Sequence, residues 1–368
     1  MQNHATSTLC IVSSILMVFS GPLHAQTTPD IEAAPADIAQ NGLFLGASRP
    51  PPKVAPLFEQ PGVLTPRGTY VLEPAIQFHH ASGDRIVIAG YTIIPTLFGS
   101  RIDVREFRRN GTAASLTARR GISNRFEVEL RVPYVYRSDT MVSRDVVNGI
   151  ATDRVFQTSG KTIGDAELAA RYQLNEGGLN KPYFVGGLRF KSRTGRDPFE
   201  VVTDCTTRCS GPGAAGTGLP LNLPTGSGFY SLEPNIAWFM PLKPATFFGT
   251  VSYMHNFKRS NVSRKILNGE SENLGEITPP DSFGFNAGLG FALNDQAAVS
   301  VGYDHISIGR GKQNGQTIPG QIRTQLGTIM VGFSYRLDHH RTINVSIGGG
   351  LTRDAPDVGL MVRLPFAF

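Results

Sequence analysis

The chain has 368 residues, of which 17% are charged against the ~25% of an ordinary soluble protein, and 41 are glycine. It holds no apolar run of about 18 residues or more, which excludes a helical membrane protein, and its 40% hydrophobic content excludes a disordered chain. Lys and Arg number 35 against 29 Asp and Glu, a net charge of +6 spread without any basic run, so no nucleic-acid partner is expected.

Residues 9–19 form a short apolar core, too brief to cross a bilayer. Gly21-Pro22 breaks it, and Leu23-His24-Ala25 before Gln26 has the small-residue form of a cleavage site. Residues 1–25 are therefore predicted to be a secretory signal peptide, although the first ten lack Lys and Arg. Residues 26–68 fit no strand and carry Pro50-Pro51-Pro52, Pro56 and Pro61-Gly62. They are expected to be an irregular linker, or else a plug in a lumen or a periplasmic contact.

From residue 69 onward, apolar and polar residues alternate with the period of a β-strand. Residues 124–137 carry the pattern most fully. Phe126, Val128, Leu130, Val132, Tyr134 and Tyr136 fall on one face, and Arg125, Glu127, Glu129, Arg131 and Arg137 on the other. The same alternation recurs in 164–174, 229–240, 283–293, 342–352 and 357–368. A soluble sandwich would bury the greasy face, whereas a membrane barrel turns it to lipid. Segments of about ten to fourteen residues favour lipid, being long for soluble strands but enough to cross a bilayer obliquely. Tyr134, Tyr172, Tyr230, Trp238 and Tyr303, near segment ends, fit interfacial aromatic girdles. Phe366 and Phe368 fit the terminal aromatic signature through which bacterial outer-membrane barrels engage their assembly machinery.

The expected fold is thus an all-β, transmembrane antiparallel β-barrel over 69–368, with the N-terminal segment on its periplasmic side or inside it. Twelve strands are predicted, at 69–80, 107–121, 124–137, 162–174, 182–191, 227–240, 246–258, 281–293, 297–308, 323–337, 342–352 and 357–368. Short turns then alternate with longer loops at 138–161, 192–226, 259–280 and 309–322, as periplasmic turns and external loops do. Residues 81–106 could extend the first hairpin or fold inward, so ten or fourteen strands stay open.

Export would leave two cysteines, Cys205 and Cys209, expected to close a small disulfide loop in an oxidising compartment. Residues 192–226 hold no His, which disfavours a metal there. The adjacent pairs His79-His80 and His339-His340 are expected to be solvated residues at strand ends, since neighbours in a strand face opposite ways. Ser159-Gly160-Lys161-Thr162 lacks the upstream glycine of a phosphate loop. His255 and His305 sit near strand ends without a nucleophile motif, so no enzyme and no cofactor are expected.

Ile163-Gly-Asp-Ala-Glu-Leu-Ala-Ala-Arg-Tyr-Gln-Leu174, a Gly-Asp step before an alternating strand, and the closing stretch from Asp354 to Phe368 resemble the MetA-pathway phenol-degradation family of outer-membrane barrels. The resemblance covers roughly 58–368. It implies passage of small molecules, aromatic ones included, and carries no catalytic residues.

With the apolar faces on lipid, the opposite faces line the interior. Basic residues there are Arg119, Arg125, Arg131, Arg137, Arg171, Arg189, Lys191, Arg336 and Arg363; acidic ones are Glu73, Glu127, Glu129, Asp165, Glu167, Glu233 and Asp304. They could brace the barrel as cross-strand ion pairs or form a charged constriction that filters solutes. Tyr70-Val-Leu-Glu-Pro-Ala-Ile76 and Tyr230-Ser-Leu-Glu-Pro-Asn-Ile236 repeat one pattern, and each proline is expected to mark a bulge or bend. The expected function is passive passage of small solutes through a charged lumen in the bacterial outer membrane, in contact with its lipids; homo-oligomerisation stays open. The alternative is a barrel that secretes or anchors a polypeptide partner, gated by 26–68.

Overall fold

The computed structural model describes residues 64–89, 101–147, 150–178, 181–202, 221–242, 245–265, 271–318 and 322–368. The strands are β1 (Tyr70–Ala89), β2 (Arg101–Ser123), β3 (Phe126–Val147), β4 (Ile150–Ile163), β5 (Glu167–Gln173), β6 (Tyr183–Lys191), β7 (Ser231–Leu242), β8 (Ala245–Asn256), β9 (Arg259–Lys265), β10 (Ser271–Thr278), β11 (Ser282–Ala292), β12 (Ala297–Ile308), β13 (Lys312–Gln313), β14 (Gln316–Thr317), β15 (Thr324–Arg336), β16 (Thr342–Gly350), β17 (Val358–Arg363) and β18 (Phe366–Ala367). The predicted signal peptide, residues 26–63 and the Cys205–Cys209 loop lie outside the described residues.

Twelve strands close on themselves in the order β1-β2-β3-β5-β6-β7-β8-β11-β12-β15-β16-β17, all antiparallel, and β17 returns to β1 from Ala75↔Arg363 to His80↔Val358. β18 completes the last strand through Val71↔Ala367 and Leu72↔Phe366. The alternation read from the sequence becomes an inside-out protein. Leu130 is 50% exposed and Leu168 55%, whereas Glu127 is 2% and Glu167 7%. A water-soluble fold has the reverse arrangement; lipid around the outer wall accounts for this one.

All twelve predicted strands are present, but the first hairpin and its neighbour run further. β1 and β2 stay paired as far as Ala89↔Arg101, so the 81–106 stretch extends the hairpin. β3 continues to Val147 and pairs there with β4, from Tyr134↔Ile163 to Val147↔Ile150. Residues 138–161, expected as a loop, are thus mostly strand. The apolar face, the only clue to a strand in sequence, is needed where the wall meets lipid; beyond it backbone pairing continues through polar residues such as Ser138-Asp139-Thr140. A second sheet, β14-β13-β10-β9, likewise replaces much of the expected 259–280 and 309–322 loops.

The expected proline bulges do not occur. Ala75↔Arg363 and Leu72↔Phe366 keep one register across the Leu364-Pro365 interruption, which lies beside Pro74. On β7 the pairing to β8 lapses between Leu232↔His255 and Asn235↔Ser252 and resumes unshifted around Pro234. Each proline removes a donor, so the ladder skips without inserting a residue. His79 and His80 fall within β1 and not at its end, and His80 Nδ1 meets Asn110 Oδ1 at 2.7 Å.

Leu130→Arg, on the outer wall, should lower stability by about 2–4 kcal/mol in denaturant titrations of the protein folded in lipid bilayers. Unchanged stability would mean that this face does not meet acyl chains.

Candidate functional site

β1, β2, β3, β5, β6, β7 and β17 are consecutive staves of the barrel, and their registers put the predicted charges on one inner wall. Arg119 of β2 bridges Glu73 on β1 to Glu129 on β3. Arg171 of β5 returns to β3 with 2.5 Å contacts to both Glu127 and Glu129. Arg131 approaches Glu167 of β5 at 3.7 Å. Arg189 of β6 joins Glu167 at 3.1 Å to Glu233 of β7. Arg363 of β17 closes the arc on Glu73 at 3.8 Å, and Lys191 Nζ lies 3.9 Å from Asp165. The six cations Arg119, Arg131, Arg171, Arg189, Lys191 and Arg363 therefore face the six carboxylates Glu73, Glu127, Glu129, Asp165, Glu167 and Glu233, and the wall carries no net charge.

Period-two alternation places these groups inward, and the cross-strand registers Arg119↔Glu129, Glu127↔Arg171, Arg131↔Glu167 and Arg189↔Glu233 place them side by side. The planar guanidinium fork serves two carboxylates at once, which an ammonium does less well. Glu73 and Glu233, repeated in sequence, do not form a paired acidic site; each is held by its own arginines.

Other expected lumen residues sit elsewhere. Arg125 lies at the turn side of β3, half exposed and paired with the exposed Glu176. Arg137 donates to the Pro224 carbonyl at 3.1 Å. Asp304 and Arg336 belong to β12 and β15, in the other half of the barrel. There three of the four positions in the cross-strand row Gly288, Gly302, Met330 and Gly348 are glycine.

Two sets of backbone donors were invisible in sequence. The backbone N–H of Thr65 donates to Glu127 at 2.9 Å, and Leu64 and Thr65 are buried, so the chain just before β1 sits within the turn-side mouth. Asp165, 1% exposed, accepts from the N–H groups of Gly195 and Ser227 and from the Ser227 hydroxyl. Backbone donors leave no trace in residue type; the Gly164-Asp165 step was the only signal.

On the outer wall, His255 and Tyr253 bond Asp281 at 3.1 and 2.7 Å, while His305 bonds Tyr303 and Gln325 at 2.9 and 2.8 Å. Partial burial pushes the Asp281 carboxyl up, but the Asn256 N–H, the Tyr253 hydroxyl and His255 together hold it below the usual carboxylate range. These groups suit an aromatic belt at a membrane interface, where ring bodies meet lipid and polar tips are satisfied.

Arg189→Met should cost about 3–5 kcal/mol by leaving Glu167 and Glu233 short of a partner in a buried wall, whereas Arg125→Ala should cost under about 1 kcal/mol. Denaturant midpoints of the folded proteins in lipid measure both.

No family model matches the chain. The fold is similar to a solved COG4313 outer membrane channel from Pseudomonas putida F1, at 12% identity and a TM-score of 0.52, over 83% of this chain and 97% of that one. Fainter likenesses are to the NalP autotransporter translocator domain of Neisseria meningitidis, at 9% identity, TM-score 0.41 and 83% and 89% coverage, and to the CymD monoaromatic hydrocarbon channel, at 10%, 0.38 and 84% and 90%. The chain has the fold of an outer-membrane β-barrel, with twelve strands.

Proposed function

We propose that the protein is a passive channel for small solutes, entered through the lumen that the charged inner wall borders. The observation that carries this is the neutralised ladder inside a closed barrel of twelve strands. Such a bore lies between barrels filled by their own side chains and wide open porins. Because cations and carboxylates cancel along the wall, it presents hydrogen-bonding groups to a solute without a net field. Small neutral molecules, aromatic ones included, are the class that such a wall admits, and the P. putida protein of similar fold is itself described as an outer membrane channel. The family resemblance points the same way. Glu73, Glu127, Glu129, Glu167, Arg131, Arg171, Arg189, Glu233 and Arg363 would border the path.

The hold of Glu127 on Thr65 favours a second reading, in which the segment ahead of β1 gates the mouth for solute or for a polypeptide partner. Deleting residues 26–63 should leave single-channel conductance unchanged if the segment is a linker, and raise it if the segment is a gate.

In planar bilayers the wild-type protein should show a cation-to-anion permeability ratio near unity. Glu73→Gln with Glu233→Gln leaves Arg119, Arg189 and Arg363 under-compensated and should shift that ratio toward anions. Absence of any conductance, or an unmoved ratio, would count against the wall as the path.

A further inference from the structure

The outer wall over β11, β12 and β15 changes character along the barrel axis. Near its middle, Leu289, Val301 and Val331 lie side by side in register and are exposed. Toward the end away from the short turns comes a band in which Tyr303 pairs with Ile329, Phe285 with His305 and Ser307 with Gln325. Beyond the last pairs, Ser282↔Ile308 and Ile308↔Thr324, stand Arg310 and Arg323, both exposed. The register makes them neighbours, since Arg323 precedes Thr324 and Arg310 follows Ile308 by two residues. Among the described residues neither has a carboxylate within ion-pair reach, whereas the six cations of the inner wall all do. Asp281 and Asp354, at the same end of the wall, are already engaged, the first by Tyr253, His255 and the Asn256 N–H and the second by the Gln325 N–H at 3.1 Å.

The band between is a directional chain of donors. Gln325 Oε1 can only accept, so its 2.8 Å contact with His305 Nε2 makes that nitrogen the donor and leaves Nδ1 to accept from the Tyr303 hydroxyl at 2.9 Å. Gln325 Nε2 then donates to Ser307 Oγ at 3.0 Å. The chain ends on the Ser307 hydroxyl, whose own hydrogen, with the second amide hydrogen of Gln325, is left to donate to another molecule. The rings of Phe285, Tyr303 and His305 pack against one another and hold the chain in place. Tyr303 crosses Gly327 so closely that a Cβ there would come within 2.6 Å of its hydroxyl. Apolar side chains, neutral donors and cations thus follow in the order in which a lipid presents acyl chains, ester oxygens and phosphate.

We propose that this face docks a lipid with a phosphate-monoester headgroup. Its acyl chains lie along Val301 and Val331, Ser307 and Gln325 donate to its ester oxygens, and Arg310 with Arg323 take the phosphate. Two unmatched guanidinium groups complement a dianion, which a phosphate monoester becomes near neutral pH and a phosphodiester does not. A free phosphate ion would leave the apolar wall below unused, so the occupant is a lipid. The site belongs to the outward face alone and does not depend on solute passing through the lumen.

A tryptophan placed in the apolar zone reads the occupant. Full-length protein carrying Trp238→Phe and Ile329→Trp is folded in phosphatidylcholine bilayers containing acyl-brominated phosphatidic acid, whose bromines quench a neighbouring indole. Quenching should give phosphatidic acid an association constant about twenty-five-fold above that of brominated phosphatidylcholine, about fivefold for each arginine near the surface. Arg310→Gln with Arg323→Gln should return the ratio to about one, and either substitution alone to about five. Arg120→Gln, on the turn side, should leave it unchanged. Wild-type protein, whose single tryptophan is Trp238 on β7, should show a ratio of about one. Heat-modifiable migration on gels checks that each variant is folded. Equal quenching by the two lipids at position 329, a preference that survives loss of both arginines, or the same preference at Trp238 would overturn the site.

Discussion

In the hydrocarbon of a bilayer an unpaired backbone N–H or C=O has no water to turn to, so a sheet that crosses it cannot keep an edge. Everything else in this protein follows from how the edge is removed. β17 folds back onto β1, and β18 completes the contact after a two-residue break. Pro74, with no donor of its own, lies beside that break, and the Leu364 N–H still donates to its carbonyl at 3.0 Å, so the seam lacks there the reciprocal bond that a proline cannot make. Twelve strands, an even number, bring the start of β1 and the end of β18 together, with Tyr70 and Phe368 exchanging two backbone hydrogen bonds.

Closure fixes parity, and parity fixes chemistry. Once Leu130 faces lipid, Glu129 and Arg131 must face inward, where partners have to come from neighbouring staves. An inward carboxylate without a cation would carry a large desolvation cost; removing one partner of such a pair is costly even though forming the pair gains little. The ladder is accordingly continuous across seven staves, and Arg119, Arg171 and Arg189 each bridge two carboxylates. Such a wall is stiff and electrically quiet. In the opposite half, Gly288, Gly302 and Gly348 alternate in one inner row with the longer side chains of Phe248 and Met330.

The strand count, the inward and outward faces and nearly all of the ladder residues were legible in the sequence, because lipid contact writes a period of two into residues such as Phe126 to Tyr136. The partners were not legible, since register decides whether Arg119 meets Glu129 or a residue two positions away. Where the wall leaves lipid the pattern fades: Ser138 to Val147 form a strand with no greasy face to announce it. The prolines misled for a related reason. Tyr-x-Leu-Glu-Pro names a missing donor, but whether the chain bulges or merely skips depends on the neighbouring strand. Thr65 escaped altogether, because its contribution is a backbone N–H.

The rule that forbids an edge also explains where the ladder can stop. It applies within hydrocarbon and relaxes beyond it, where water can satisfy a backbone group. β5, β6 and β7 stop at the level of Glu167, Lys191 and Ser231, while β3 with β4, and β9 with β10, continue in separate sheets. From that level upward the wall between them no longer has to be a ladder. Asp165 stands at this boundary: it neighbours Lys191 at the end of the ladder, and it collects the donors of Gly195, after β6, and Ser227, before β7. A single buried carboxylate thus joins the end of the ladder to the two segments that leave and rejoin it.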